Sequence, residues 1–171
     1  GAPAENHMGL FRQTNDFYYL TGLESAHAYL LLDGRDGTAT LFLSHQSEAQ
    51  RRYEGLIPAG DQGEAVIAAC GVDEVKGLGD LAASLQRVPA IYTPFREGSG
   101  AMQSWDTHMA GERGRYSDPW DGTIDRFAQF IELLTKRYPA AAIKNLAPVL
   151  DDMRIVKDGH EIDLLRRSGK L

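Results

Sequence analysis

The sequence has one cysteine, no long apolar run and no excess of basic residues. Cys70 cannot form an internal disulfide, and the apolar residues around it, 65–70, predict a buried thiol. No stretch approaches the roughly 18 apolar residues that cross a membrane. The formal charge of -6, from 24 acidic and 18 basic residues, offers no cationic surface to phosphates or anionic lipid. We therefore expect neither a nucleic-acid partner nor a membrane partner. We expect the protein to be cytoplasmic.

Motifs of hydrolases and metalloenzymes are also missing. The histidines, at positions 7, 27, 45, 108 and 160, are scattered, and none forms a His-Glu-x-x-His helix face. No Gly-x-Ser-x-Gly elbow occurs. The adjacent carboxylates Asp151 and Asp152 would point about 100° apart on a helix, so they would not face one target. The sequence predicts no catalytic residue and no metal ligand in this chain.

One motif resembles a cofactor-binding loop. Residues 77–82, GLGDLA, match the loose Gly-x-Gly-x-x-Ala dinucleotide pattern between a predicted strand and a predicted helix. Asp80 would lie where the pyrophosphate approaches the helix N-terminus, and its carboxylate would repel that group. A dinucleotide-binding domain is therefore an alternative that we disfavour.

What is present is enough for one compact domain, since 43% of the 171 residues are hydrophobic. Two apolar runs, residues 28–32 and 38–43, flank the turn-forming residues 33–37 and predict a β-hairpin. Residues 15–22 predict a short helix that Asn15 caps and Gly22 ends. The aromatic residues of that segment also fit a strand.

Predicted helices and strands alternate along the rest of the chain. The predicted helices are 47–54, 61–70 and 80–87, and the predicted strands are 74–76 and 90–93. Near the end of the chain, Asp158 followed three residues later by Glu161 has the spacing of a capping box and predicts a further helix start. Glycine and polar residues predict an irregular segment at 96–122, in which Trp105 and Trp120 are either loop anchors or a ligand platform. Apolar positions three or four apart from Ile124 to Tyr138 predict an amphipathic helix that Pro139 ends. This alternation predicts an α/β domain with a mixed sheet flanked by helices.

Two segments resemble a known family. Residues 11–24, FRQTNDFYYLTGLE, resemble the Arg-Gln…Asp-Phe-Tyr-Tyr-Leu-Thr-Gly signature of the aminopeptidase P N-terminal domain. Residues 146–162, LAPVLDDMRIVKDGHEI, resemble the linker from that domain into the catalytic domain. The chain is thus similar to the N-terminal domain of the aminopeptidase P (Xaa-Pro aminopeptidase), prolidase and creatinase family of pita-bread metalloenzymes.

The middle of the chain departs from the family pattern. The family often has Trp-x-Gly-x-Arg-x-Gly near its second helix, whereas this sequence reads YEGLIPAG at residues 53–60 and lacks the arginine. The family also usually has a helix and a strand before the Arg-Gln signature, and few residues precede Phe11. The departures leave open whether the motif at 53–60 contacts substrate in this protein.

The resemblance implies where the chemistry of the full-length protein lies. The family holds two divalent metal ions, expected to be manganese, with two aspartates, a histidine and two glutamates of a following catalytic domain. We expect residues 1–144 to form the N-terminal domain, and residues 145–171 to form the linker and the start of the first catalytic-domain helix. On this expectation the chain ends before the metal ligands and is not catalytic by itself.

The resemblance also implies partners and a gating site. Expected partners are the protein's own catalytic domain, further copies in a homo-oligomer, and a peptide substrate with proline in second position. Arg12, Asp16 and Tyr18 are the candidate substrate-gating residues, with Asp16 attracting the peptide α-ammonium group and Arg12 orienting it. Arg12 and Asp16 could instead pair with each other, four positions apart on a helix. Two further alternatives for the whole chain are a prolidase N-terminal domain and a stand-alone binding module of the same fold.

Overall fold

The computed structural model describes residues 13–49, 52, 62–95, 113, 117, 119–120, 124 and 126–170. The helices are α1 (Asn15–Thr21), α2 (Gly63–Cys70), α3 (Leu81–Ser84), α4 (Arg126–Arg137), α5 (Ala147–Ile155) and α6 (Gly159–Ser168). The strands are β1 (Tyr29–Asp33), β2 (Thr38–Leu43), β3 (Glu74–Gly77), β4 (Ala90–Thr93) and β5 (Ala142–Asn145). Half of the predicted helix 47–54 and most of the predicted irregular segment 96–122 lie outside the described residues. Within the described part, no helix has the length and apolar character needed to span a bilayer.

The predicted hairpin is confirmed, and it forms most of a three-stranded mixed sheet. β1 pairs antiparallel with β2, with Leu30 opposite Leu41, and β2 pairs parallel with β3. Asp73 fixes the start of β3, because its carboxylate accepts a hydrogen bond from the Ala39 N–H at 2.7 Å while its own N–H donates to the Ala39 carbonyl at 2.9 Å. The mixed sheet and its flanking helices confirm the predicted α/β class.

A second sheet consists of β4 and β5, paired in parallel with Ile91 opposite Ile143. Strand β4 coincides with the predicted strand 90–93, but β5 was not predicted. It has only four residues, Ala142–Asn145, and two of them are the polar Lys144 and Asn145. So short a polar strand has no clear alternation, and its pairing with β4 decides its structure.

The apolar core has two parts. The first surrounds β2, where Leu41, Phe42 and Leu43 are fully buried. Its buried members are Phe17, Leu23, Ala28, Leu41, Leu43, Val66 and Val72. The second surrounds α4 and contains Leu85, Ile91 and Leu134. The two parts meet at β1, since Leu31 packs against the second cluster and the rings of Tyr29 and Phe130 lie 5.6 Å apart between centroids.

Several predicted helix boundaries are wrong by a few residues. Asn15 is the first helical residue of α1 and Thr14 is the N-cap, in an extended conformation and without a side-chain cap bond. Gly22 ends α1 with φ 64°, as predicted. Helix α3 ends at Ser84 instead of continuing to Arg87, because Leu85 turns into the second core cluster and Arg87 adopts a φ of 59°.

Helix α4 begins at Arg126, and the described side chains show which of its residues face the core. Phe130, Leu134 and Tyr138 pack in the second cluster. Ile124, predicted as the first residue of the apolar stripe, precedes the helix and is 47% exposed. The predicted stripe is thus correct at Leu134 and Tyr138 but missed Phe130.

The end of β1 predicts a measurable pH effect. Asp33 accepts hydrogen bonds at 2.9 Å from both Nε and the backbone N–H of Arg35, and the side-chain bond is the larger cause that lowers the pKa of Asp33 to about 2. Because the pKa of Asp33 is lower in the folded protein than in the unfolded chain, the hydrogen bonds between Asp33 and Arg35 stabilise the fold above about pH 4. This stabilisation is lost as the pH falls through about 2. We expect an NMR titration to place the wild-type pKa near this value and Arg35→Gln to raise it toward 3.8. An unchanged pKa in the variant would contradict the assignment.

Candidate functional site at the junction of the terminal segments

The two segments that resemble the family meet in space through helices α1 and α5. Phe17 and Thr21 of α1 are buried in the domain, and this orientation leaves Asp16 and Tyr19 toward α5. Residues three apart on a helix share a face, so both side chains reach the same region of α5. The junction joins positions more than 130 residues apart in sequence.

Arg154 of α5 is the centre of this junction. Its Nη1 donates to Oδ1 of Asp16 at 3.0 Å, and its guanidinium carbon lies 5.6 Å from the centroid of the Tyr19 ring. The Tyr19 hydroxyl donates to the Met153 carbonyl at 3.4 Å. We name Asp16, Tyr19, Met153 and Arg154 the Arg154 clamp. The side chains of Arg154 and Asp16 are 36% and 19% exposed, so their ion pair is partly shielded from solvent.

The start of α5 is fixed by Asn145, the last residue of β5. The side-chain oxygen of Asn145 accepts hydrogen bonds from the N–H groups of Phe95 and Ala147, at 3.0 and 2.9 Å. One amide thus ties Phe95, two residues after the end of β4, to the first turn of α5. Ala147 and Leu150 then bury one side of α5 against the domain. Asn145 and the Arg154 clamp together hold α5 near both of its ends.

Helix α6 leaves the domain after a short break. Val156 is extended and ends α5, and Asp158 begins α6 with the predicted capping box. The Asp158 carboxylate accepts from the Glu161 N–H at 2.8 Å, and the Glu161 carboxylate accepts from the Asp158 N–H at 2.9 Å. This reciprocal pair confirms the helix start predicted from the sequence.

Exposed apolar side chains cover α5, α6 and the break between them. We call this set the C-terminal apolar surface. Its members are Val149, Met153, Ile155, Val156, Ile162, Leu164 and Leu165. Ile155 and Val156 are 72% and 78% exposed. So large a group of exposed apolar side chains is typical of a surface that another protein or domain covers.

The predicted gating residues have different environments. Asp16 lies in the Arg154 clamp, and Tyr18 on the same helix is 51% exposed. Arg12 lies outside the described residues, and so does its predicted alternative pairing with Asp16. Sequence reasoning missed Arg154 and Tyr19 as a pair, although each lies in one of the two recognised segments. Their separation along the chain gave no sign that the segments touch.

The sequence of this chain is similar to a known protein family and to one of its curated members. The sequence model described as aminopeptidase P, N-terminal domain, matches residues 4–92. This chain belongs to that family. A Fusarium vanettenii protein assigned as an Xaa-Pro aminopeptidase, PEPP, is 26% identical over 161 residues, which are 94% of this chain and 28% of the relative.

Solved aminopeptidase P structures share the fold of this N-terminal domain. A protein assigned as an aminopeptidase P in Bacillus anthracis superposes with a TM-score of 0.70 at 19% identity, over 96% of this chain and 35% of that one. Aminopeptidase P of E. coli in its low-pH form superposes with a TM-score of 0.62 at 19% identity, over 99% of this chain and 36% of that one. The chain therefore spans about a third of the length of these proteins.

The described donor groups of this N-terminal domain do not fit a two-metal site. Across residues 13–49, 62–95 and 126–170, no three histidine, cysteine, aspartate or glutamate side chains converge to hold a metal ion. Cys70 is partly buried against the first core cluster, where burial raises the pKa of its thiol and disfavours the reactive thiolate.

The motif at residues 77–82 also takes a form unlike a dinucleotide-binding loop. Gly77 ends β3, residues Leu78–Asp80 form a single 3-10 turn, and α3 has only four residues. The dinucleotide fold relies on a longer helix whose N-terminus faces the pyrophosphate. The geometry thus favours a structural turn at this motif.

Proposed function

We propose that this chain is the N-terminal, non-catalytic domain of a metal-dependent Xaa-Pro aminopeptidase, which hydrolyses the bond before a proline in second position. The observation that carries the proposal is the family match over residues 4–92. The Fusarium relative supports it, because its similarity continues over nearly the whole chain and includes both recognised segments. Two divalent metal ions, with manganese as the proposed metal, belong in this proposal to the catalytic domain of the full-length protein.

The role proposed for the domain is to hold and orient the catalytic domain. The C-terminal apolar surface is the docking face, because Ile155 and Val156 are too exposed to contribute to the core of this domain. The Arg154 clamp fixes α5, and α6 follows it after a break of only a few residues. The direction in which the chain leaves the domain thus depends on contacts made by α1.

Substrate gating and oligomerisation are part of the same proposal. Tyr18 is half exposed and has an aromatic ring that a peptide could contact. Asp16 is already bound by Arg154, which favours a positioning role over direct capture of the peptide amine. Arg12 remains a proposed gating residue, and a cytoplasmic homo-oligomer remains the proposed assembly.

An activity assay tests the proposal. The full-length gene product with Mn²⁺ is expected to release the first residue of a tripeptide that has proline in second position, and the 171-residue chain under the same conditions is expected to release none. Cleavage of an Xaa-Pro dipeptide but not of the tripeptide would favour a prolidase. Cleavage by the pure 171-residue chain would refute the non-catalytic assignment. A coding sequence without a metal-ligand set after Leu171 would favour the stand-alone binding module.

A further inference from the structure

A groove that the proposed function does not use lies between α3, the turn after it, and the C-terminal half of α4. It consists of two adjoining hollows of about 550 and 200 Å³ that share Ala82, Leu85, Arg137 and Tyr138. The Tyr138 hydroxyl donates to the Ala82 carbonyl at 3.1 Å and joins the two walls. Leu85 and Leu134, both buried, make the floor apolar.

The polar side of this groove is cationic. Arg137 lines both hollows and Arg87 lines the larger one, whereas none of the described aspartates or glutamates lines either. Among the described residues, Arg35, Arg154 and Arg166 each form an ion pair, whereas the exposed Arg87 and Arg137 have no acidic partner. The exposed Arg52 and Arg167 also have none, but neither lines this groove. In a protein with a net charge of -6, two uncompensated arginines beside one apolar hollow favour an anionic ligand.

The backbone at Arg87 gives an independent reason to expect a ligand. Its φ of 59° lies in the left-handed region, which glycine and asparagine adopt more readily than arginine. Strained residues of this kind are concentrated at functional sites, where the surrounding structure holds them in place. Arg137 alone could be explained by its position in the last turn of α4, where a cation stabilises the helix dipole. That explanation does not extend to Arg87.

We propose that this groove binds a small ligand with an apolar body and one carboxylate, which Arg87 and Arg137 contact while Leu85 and Leu134 pack against the body. The larger hollow, of about 550 Å³, is mostly apolar and open to solvent, so a ligand bound there would stay partly exposed. Arginine binds carboxylates through paired N–H donors. The groove shares no residue with the Arg154 clamp, so the site is separate from the proposed function.

The test is an NMR titration of the isotopically labelled 171-residue chain with 4-phenylbutyrate. We expect saturable shifts of the amide signals of Ala82, Leu85, Tyr138 and their neighbours. Arg87→Gln and Arg137→Gln are each expected to raise the dissociation constant at least about fivefold, since each removes a charged hydrogen-bond donor. Arg35→Gln, an exposed arginine on the hairpin turn, is the matched control and should leave the constant unchanged.

Two further measurements separate the carboxylate from the apolar body. The alcohol 4-phenylbutanol is expected to bind the wild-type chain more weakly than 4-phenylbutyrate does. Because the alcohol has no charge, each glutamine variant is expected to bind it as tightly as the wild-type chain does. Ala82→Glu places a carboxylate in the groove and is expected to abolish binding, with circular dichroism to confirm that the variant is folded. Equal binding of acid and alcohol by the wild type, unchanged binding by both glutamine variants, or no saturable shift up to about 20 mM would each overturn the proposal.

Discussion

Replacing Leu41 with alanine is expected to lower the free energy of unfolding by about 2–5 kcal/mol. Leu41 is fully buried in β2, where it lies opposite Leu30 and packs in the first core cluster. Strand β2 is paired on both sides, so the surrounding backbone cannot move in to fill the cavity. Whole domains are stable by about 5–15 kcal/mol, and the variant should therefore lose a large fraction of its stability. Urea unfolding followed by circular dichroism measures the change.

Leu32→Ala is the matched control for this experiment. It makes the same chemical change in the same hairpin, but Leu32 is 58% exposed on β1. Surface substitutions of this kind usually change stability by less than about 0.5 kcal/mol. Equal losses from the two variants would show that β2 is not the centre of the core.

The second prediction concerns the Arg154 clamp. A double-mutant cycle with Asp16→Asn and Arg154→Met is expected to give a coupling energy of about 1 kcal/mol, at the upper end for exposed pairs, because the pair is partly shielded. The Asp16 side chain is 19% exposed, and its Oδ1 lies 3.0 Å from the arginine. Arg154→Met by itself should cost more than Asp16→Asn, since it also removes the cation that lies over the Tyr19 ring. Chemical denaturation of the four proteins supplies all the terms.

An ion pair within α6 is the internal control for this cycle. Asp163 and Arg166 lie 3.3 Å apart with side chains 69% and 72% exposed, so their coupling should be below about 0.5 kcal/mol. The same cycle with Asp163→Asn and Arg166→Met provides the comparison. If this exposed pair couples as strongly as the clamp, then shielding at the junction contributes nothing.

The sequence predicted features that depend on local chemistry. The hairpin followed from two apolar runs around a turn cluster, the end of α1 from Gly22, and the start of α6 from Asp158 and Glu161. In each case neighbouring residues determine the backbone, through turn preference, positive φ or a reciprocal cap. The family was also predictable, because two distinctive segments were present in the expected order.

What the sequence did not predict depends on distant contacts. Strand β5 exists because it pairs with β4, and α3 ends early because Leu85 turns into the core formed with Ile91 and Leu134. The clamp could not be predicted either, since nothing in the sequence around Asp16 or Arg154 indicates that the two residues pair. Asp16 was predicted as a gating residue for its negative charge, and the structure places an arginine against that charge.

The separation between Asp16 and Arg154 also has a consequence for how the protein folds. The two residues are 138 positions apart. Strand β4 likewise cannot pair until β5 is present, and β5 follows α4 in the chain. On the ribosome, the hairpin and β3 can form early, but α1 has no Arg154 to bind until nearly the whole segment has been synthesised. Contacts between such distant positions close large loops and slow folding. We therefore expect α1 to gain its final protection from hydrogen exchange late, together with α5, although it is the first helix described in the chain.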